Sequence, residues 1–350
     1  MTASGVDLSV DFCGVRFVNP FLLSSSPVSN SAEMVSRAFE AGWAGVAYKT
    51  VVTDRIPIIH PSPRMKSFDR GREQLVGLQN VEQTSDRGLK PNLLDMTWLK
   101  KRWPDRVVMA SIMGFSDMGV PAMHAKNGGA NGISAINTVR GLAGIDPDTW
   151  VPSLGVFGKG AISGISGPAV KPIGLRFIAE LALEEQLGLP LSGIGGIETW
   201  VDALEYLLVG ATTVQVTTGV IHYGYGIVAD MIEGLSDYMA MRGIERVSEL
   251  VGRALPQLHE TDAFDLRRQG ISAYDLARCV GCGACLTVCS DAGGQALSWD
   301  TSSRRPRLDE GKCLSCMVCS FVCPVPGLIT FREMPEGWSR APTPTLGVEV

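Results

Sequence analysis

Residues 8–18 alternate between apolar and polar side chains, which predicts a short hairpin with Gly14 in its turn. Such an element can plug the bottom of a barrel. Beyond it, short apolar runs alternate with amphipathic stretches. The runs at 21–26, 45–51, 106–113, 132–136, 191–194 and 212–217 predict buried strands. The stretches between them predict helices. Ser31 caps one that runs through Phe39 and stops at Gly42, and residues 91–103 form a second. A short third, 120–127, is closed by Gly128-Gly129. Helix 172–186 sets Ile173, Phe177, Ile178 and Leu181 on one face, and a helix capped by Thr199 turns Val201, Leu204, Leu207 and Leu208 inward. A last helix covers 227–241, and 141–167 reads as a glycine-rich loop. Strand then helix, repeated six times before residue 245, predicts an α/β fold with a parallel sheet and helices outside it.

This rhythm stops near residue 254. Residues 255–277 are polar and weakly patterned and read as a linker. Residues 278–334 hold eight of the nine cysteines in two copies of C-x2-C-x2-C-x3-C. That is the spacing of a bacterial ferredoxin with two [4Fe–4S] clusters, in which the fourth cysteine of each run ligates the other cluster. Cys279, Cys282, Cys285 and Cys323 are therefore assigned to one cluster, and Cys313, Cys316, Cys319 and Cys289 to the other. Gly281 and Gly283 let the backbone approach the sulfides, and Pro324 turns the chain away after the last ligand. Structural zinc favours two C-x2-C pairs across a longer gap. The tail 335–350 reads as an arm.

Charge narrows the function. A net charge of −5 with scattered Lys and Arg points away from nucleic acid and from anionic membrane surfaces. No apolar run reaches a membrane span, and residues 1–10 lack the pattern of a signal peptide. Cluster ligands without a disulfide framework indicate the cytoplasm. Cys13, in the N-terminal strand pattern, reads as a buried structural thiol.

Several stretches share one pattern: N-P-F-L-L-S-S-S-P at 19–27, A-Y-K-T at 47–50, L-Q-N-V-E at 78–82, A-S-I-M-G at 110–114, A-I-N-T-V at 135–139, S-G-I-S-G-P-A-V-K-P at 163–172, G-I-G-G-I-E-T-W at 193–200 and V-Q-V-T-T-G at 214–219. With the ferredoxin repeat behind them, they resemble the flavin-containing subunit of bacterial NAD-dependent dihydropyrimidine dehydrogenase. The barrel is also similar to dihydroorotate dehydrogenases. The resemblance implies a TIM-type (β/α) barrel over 1–254, with FMN at its C-terminal mouth, followed by an α+β ferredoxin domain. It implies a partner subunit that binds FAD and NAD(H), a hetero-oligomer with two of each subunit, and uracil or thymine as substrate. Ser24, Ser25, Lys49 and Thr50 match flavin contacts. Ser166, Gly167, Gly195, Gly196, Thr217 and Thr218 match a phosphate cradle. Asn80, Glu82, Asn137 and Thr138 match pyrimidine contacts, Asn80 and Glu82 also touching flavin. An Asn both donates and accepts, as a pyrimidine amide edge requires.

The chain departs from that family in its middle. A-S-I-M-G at 110–114 runs straight into F-S-D-M-G-V-P-A-M, so two βα units are missing at a junction near 114/115, about 60 residues or more at ~30 per unit. About six βα units remain where a closed barrel has eight. The cysteine that serves the family as general acid lies in the missing part, so the catalytic residue is unknown. Three readings follow: a subunit that reduces uracil or thymine, an electron-transfer subunit whose catalysis is impaired, or a dihydroorotate dehydrogenase-like enzyme.

Overall fold

The computed structural model describes residues 5–51, 64–69, 75–80, 84–85, 87–111, 126, 129–259, 263, 265 and 269–338. The chain divides into two compact units, Met1–Leu258 and His259–Val350.

The first unit opens with the hairpin of β1 (Val10–Phe12) and β2 (Val15–Phe17), paired antiparallel. Its turn residues Cys13 and Gly14 both take positive φ, 53° and 74°, a turn whose twist matches the strands. Contrary to the sequence reading, the Cys13 side chain is exposed. It occupies the turn, beyond the strand residues Val10, Phe12 and Phe17 that are buried.

Then come β3 (Phe21–Leu23), α1 (Ala32–Ala41), β4 (Gly45–Ala47), β5 (Met65–Asp69), β6 (Leu75–Asn80), α2 (Leu89–Arg102), β7 (Val107–Met109) and β8 (Ile133–Ala135). Ser31 caps α1 by accepting from the Met34 amide, and Gly42 ends it at φ 116°. The predicted helix 120–127 and the 114/115 junction lie outside the described residues, Lys126 apart. Residues 141–167 are not one loop. They form β9 (Val139–Gly141), β10 (Gly155–Val156), β11 (Lys159–Gly160) and β12 (Ser163–Ser166). Glycines sit in these strands where another chain segment comes close. A Cβ at Gly164 would overlap Thr138, one at Gly160 would overlap Pro152, and one at Gly141 would lie 2.7 Å from Ile165. The unit continues with α3 (Lys171–Leu183), β13 (Leu191–Ile194), α4 (Trp200–Leu208), β14 (Ala211–Val216), α5 (Thr218–Tyr223) and α6 (Ile227–Met241).

Six strands form one parallel sheet in the order β7-β4-β3-β14-β13-β8. Following the chain, this is a TIM-type arrangement in which first and last strands pair, opened between β7 and β8. Burial tracks the opening. β3 at the centre is wholly buried, whereas β7 is half-exposed throughout and β8 exposes Ser134. The helices show the same pattern. On α3 Gly174, Ile178 and Ala179 are buried, but Ile173 and Phe177 are 37% and 41% exposed. The face predicted as inward is therefore displaced. On α4, Val201 is likewise exposed while Leu204 and Leu207 are buried. A second sheet, β5-β6-β12-β9, is antiparallel. It grows from the C-terminal ends of β4 and β8, so it stands over that end of the parallel sheet.

Asp95 of α2 ties three elements together. It accepts from the Ala32 amide at the start of α1 (2.8 Å) and from the Tyr48 hydroxyl after β4 (2.9 Å), and it pairs with Arg87. Burial opposes its ionisation, but the hydrogen bonds from Arg87, Ala32 and Tyr48 outweigh it and hold the carboxyl below its ordinary range.

The second unit holds β15 (Gly270–Tyr274), α7 (Ala284–Ala292), β16 (Leu297–Asp300), β17 (Arg305–Leu308), α8 (Val318–Phe321) and β18 (Ile329–Glu333). β15 pairs with β18 and β16 with β17, both antiparallel. β15 falls in the stretch read as linker, and its polar composition (Ser272, Tyr274) hides a strand that buries Ile271.

Asp95→Ala is expected to lower the unfolding free energy by about 2–4 kcal/mol, because it strands the Tyr48 hydroxyl and the Arg87 guanidinium. Urea unfolding followed by tryptophan fluorescence measures it. The depressed pKa means this contribution is full above 3.8 and fades as pH falls below it. Asp95→Asn should remove that pH dependence.

Candidate active site and cluster ligands

Strand ends of the parallel sheet place the predicted site residues together. Ser24 and Ser25 follow β3, Lys49 and Thr50 follow β4, Gly195 and Gly196 follow β13, and Thr217 and Thr218 follow β14. Because β3 pairs with β14, Ser24 meets Thr217, hydroxyl to hydroxyl. Ser25 bonds Thr50 at 2.8 Å, and Thr50 bonds Ser111 at 2.9 Å. Lys49 is buried at 3% exposure, and its amide donates to the Ser29 carbonyl at 3.1 Å.

The glycine loops converge next to these hydroxyls. Gly167 and Gly196 hold positive φ of 94° and 68°. A Cβ on Gly196 would stand 2.8 Å from the Gly167 carbonyl and 3.0 Å from the Lys171 amide, at the start of α3. A Cβ on Gly167 would stand 2.9 Å from Gly77 and 3.3 Å from Thr218. The loops thus pack backbone to backbone, closer than side chains permit. Thr218 donates to the Ser166 hydroxyl at 3.1 Å. Lys171 pairs with Asp202 (2.5 Å) and Glu205 (2.6 Å), locking α3 to α4 beneath the loops.

The remaining predicted residues lie on the covering sheet. Asn80 ends β6 opposite Gly164. The space that Gly164 leaves is filled by Thr138, so Asn80 and Thr138 are near neighbours. Asn137 and Thr138 are both exposed, and the Asn137 side chain accepts from the Thr138 amide at 2.8 Å. Glu82 lies outside the described residues.

Three residues were missed by reading the sequence. Ser111 extends the hydroxyl chain, and its signal is its place two residues beyond β7, equivalent to Ser25 after β3. Tyr206 reads as a core aromatic of α4, but its hydroxyl donates to the Gly195 carbonyl at 2.9 Å and its ring fills the space beside Gly174 and Gly193. Three glycines spaced around one buried ring are the signal. Glu198 follows the cradle, and burial pushes its carboxyl up from the ordinary value, opposed by His222.

The ferredoxin unit wraps its cysteines with the same backbone twice. Gly281 and Gly283 adopt φ of 69° and 78°, and the matching Ser315 and Met317 adopt 57° and 55°. The glycines serve this left-handed geometry, and a Cβ on Gly281 would also stand 3.1 Å from the Arg304 carbonyl. Cys279, Cys282, Cys285 and Cys323 line one cavity together with Tyr274, Trp299 and Pro306. Of the other four, Cys289 packs with Cys313 and Ile271, while Cys319 packs with Cys285 and Leu328. Among the described residues no three His, Cys, Asp or Glu converge as they would on a single metal ion. Ligands to the separate irons of a cubane need no such convergence. Burial, and after it a hydrogen bond to Cys319, push the Tyr274 phenol up, so it stays a donor.

Comparison with known proteins places both units. The dihydroorotate dehydrogenase family pattern matches residues 107–239, and the 4Fe-4S dicluster domain pattern matches residues 273–331. The NAD-dependent dihydropyrimidine dehydrogenase subunit PreA of Escherichia coli is 37% identical over 400 aligned residues, covering 94% of this chain and 96% of that protein. The chain belongs to the PreA dihydropyrimidine dehydrogenase subunit family. A chloroplastic NADP(+) dihydropyrimidine dehydrogenase of Arabidopsis thaliana is 30% identical over 75% of this chain and 80% of its own length. The catalytic subunit of dihydroorotate dehydrogenase B from Pyrococcus abyssi is 30% identical over 71% of this chain and 99% of its own length. For PreA, 94% of 350 residues, about 330, are spread over 400 aligned positions, so about 70 positions have no residue here. That length equals about two βα units at ~30 residues each.

PreA-type membership and the dicluster match support iron–sulfur clusters and FMN as the cofactors. The residues present fit both. Hydroxyls, glycine-loop amides at a helix start and a buried lysine are the donor set of an anionic, phosphorylated flavin. Paired thiol sets on left-handed loops suit two cubanes.

Gly196→Ala is expected to cut flavin content several-fold while iron content holds, because the new methyl meets backbone on two sides. Absorbance of released flavin and an iron assay read this. Cys323→Ser is expected to lower iron from about eight to about four per chain, with the flavin retained.

Proposed function

We propose that this chain is the flavin and iron–sulfur subunit of a cytoplasmic dihydropyrimidine dehydrogenase. Uracil or thymine is reduced to the 5,6-dihydropyrimidine with electrons from NADH. A partner subunit carrying FAD and the NAD(H) site supplies them through the two [4Fe–4S] clusters, in an assembly with two copies of each subunit. The observation that carries this reading is the pair of ligand sets on one chain: the hydroxyl and glycine cradle at the strand ends of the first unit, and the dicluster cysteines of the second. When bound, FMN supplies the exchange between one-electron and two-electron transfer.

The chain's own residues hold and orient. Ser166-Gly167, Gly195-Gly196, Thr217 and Thr218 take the phosphate. Ser24, Ser25, Lys49 and Thr50 face the flavin ring, with the Lys49 ammonium favouring negative charge there. Asn80, Asn137 and Thr138 offer donors and acceptors to the pyrimidine amide edge, and Glu82 completes that set.

A second reading has its own observation. A proton must reach the ring carbon next to the one that is reduced, and losing a general acid costs about 10²–10⁴ in rate. Among the described residues of the first unit the one thiol is Cys13. Its Sγ lies 3.4 Å from the Asn131 carbonyl, before β8, at the opposite end of the sheet from Lys49 and Thr217. Among the described strands, β7 and β8 are also the unpaired edges of the parallel sheet. Both features favour a subunit that carries electrons with little pyrimidine turnover. A dihydroorotate dehydrogenase-like activity is the weaker third reading.

Anaerobic uracil reduction by the iron-loaded chain, driven by a chemical one-electron donor, decides among them. Formation of dihydrouracil is the expected result under the first reading. Iron and flavin present without turnover would establish the second, and competition by orotate would favour the third.

A further inference from the structure

Ser272 sits in the middle of β15, and its side chain is buried at 3% exposure. Its hydroxyl oxygen lies 3.4 Å from Cys319 Sγ, 3.4 Å from Met317 Sδ and 4.0 Å from Cys313 Sγ. A lone hydroxyl in an apolar pocket needs a partner. Among the described residues its recorded partners are all sulfurs, and two of the three are predicted cluster ligands. With a cluster bound, Cys319 is a thiolate and can only accept, so the serine proton goes to it in preference to the weaker thioether of Met317.

The two ligand sets differ in their surroundings. In the set Cys313, Cys316, Cys319 and Cys289, only Cys316 is exposed. In the set Cys279, Cys282, Cys285 and Cys323, only Cys285 is buried. Burial disfavours adding an electron to an anionic cluster, so the first of these sets alone would give the lower potential. A hydrogen bond to a ligand sulfur acts in the opposite sense, because it draws charge from the cluster and stabilises the reduced form.

We propose that Ser272 is a potential-setting residue: its hydroxyl donates to the Cys319 thiolate and offsets the burial of that cluster, so that the two clusters exchange electrons at similar potentials. The inference rests on the reading of Cys313, Cys316, Cys319 and Cys289 as one ligand set. It concerns the direction and rate of electron flow between the clusters and is independent of which pyrimidine is reduced.

The test is a reductive titration of the full chain with both clusters loaded, followed by low-temperature electron paramagnetic resonance. In Ser272→Ala one of the two midpoints is expected to fall by about tenfold in the reduction equilibrium, 59 mV for a one-electron couple, while the other stays in place. Ser272→Thr, which keeps the hydroxyl, is expected to stay within about twofold of the parent. Pulsed resonance after exchange into deuterated water should also lose one strongly coupled deuteron in the alanine variant. Unmoved midpoints in Ser272→Ala, or equal movement of both, would overturn the proposal. If the alanine variant fails to hold iron, the same titration on Ser272→Thr and Ser272→Val, which share one shape, decides: equal midpoints overturn it and a lower midpoint in valine supports it. Parent protein that holds only about four irons would instead sink the ligand reading beneath it.

Discussion

One ladder of hydrogen bonds holds the first unit in register. Phe21–Leu23 pairs in parallel with Val214–Val216, near opposite ends of that unit. Without it the strands β7-β4-β3 and β14-β13-β8 have no common sheet. The pairing also makes the site, because Ser24 and Thr217 are the next residues along the two strands and their hydroxyls meet. The glycine cradle then follows from β13, which lies beside β14, and the Thr50–Ser111 chain from β4 and β7 on the other side. Both strands are almost wholly buried, so hydrophobic burial fixes a geometry whose purpose is polar.

The opening between β7 and β8 lies on the far side of the sheet from that ladder. A closed eight-stranded barrel is filled by its own side chains, with strand number, tilt and shear linked. Here a polar layer runs across β14, β13 and β8: the Thr213 hydroxyl donates to Ser192 at 2.8 Å, the Gln215 amide donates to Ser192 and Ser134 at 2.9 and 2.8 Å, and the layer ends on an exposed serine. The hydroxyls and glycine loops cluster at the ends of β3, β4, β13 and β14, with Ser166 and Gly167 at the end of β12. Cys13, the one thiol among the described residues of the first unit, lies at the opposite end of the sheet.

Strand existence and order were legible in the sequence because buried parallel strands read as short apolar runs. Their ends were not. The run 45–51 yields only Gly45–Ala47 as strand, since Tyr48, Lys49 and Thr50 belong to the site rather than to the ladder. The strands hidden in 141–167 escaped notice because glycine at 141, 155, 160 and 164 reads as loop, whereas three of these four stand where a strand passes close to Ile165, Pro152 or Thr138. Helical periodicity identified the shared face of Ile173 and Phe177 but not whether anything stands opposite it. The cysteine spacing was the clearest signal of all. Even so, it says nothing of Ser272 or Tyr274, which reach the thiols from a strand 39 or more residues away from Cys313. Likewise the meeting of Ser24 with Thr217 depends on a 193-residue separation that no local pattern encodes.

That separation has a kinetic side. The parallel sheet consists of two three-stranded halves, β3, β4 and β7 from the first part of the unit and β8, β13 and β14 from the second. Loop-closure entropy grows only slowly with length, but joining the halves still needs two long-range ladders, β3 with β14 and β6 with β12. Ser24, Ser25, Thr217 and Thr218 come together only where the first of these forms. The cofactor cradle is therefore a reporter of complete folding: a chain that has built both halves but not joined them has most of its secondary structure and no place for a phosphate.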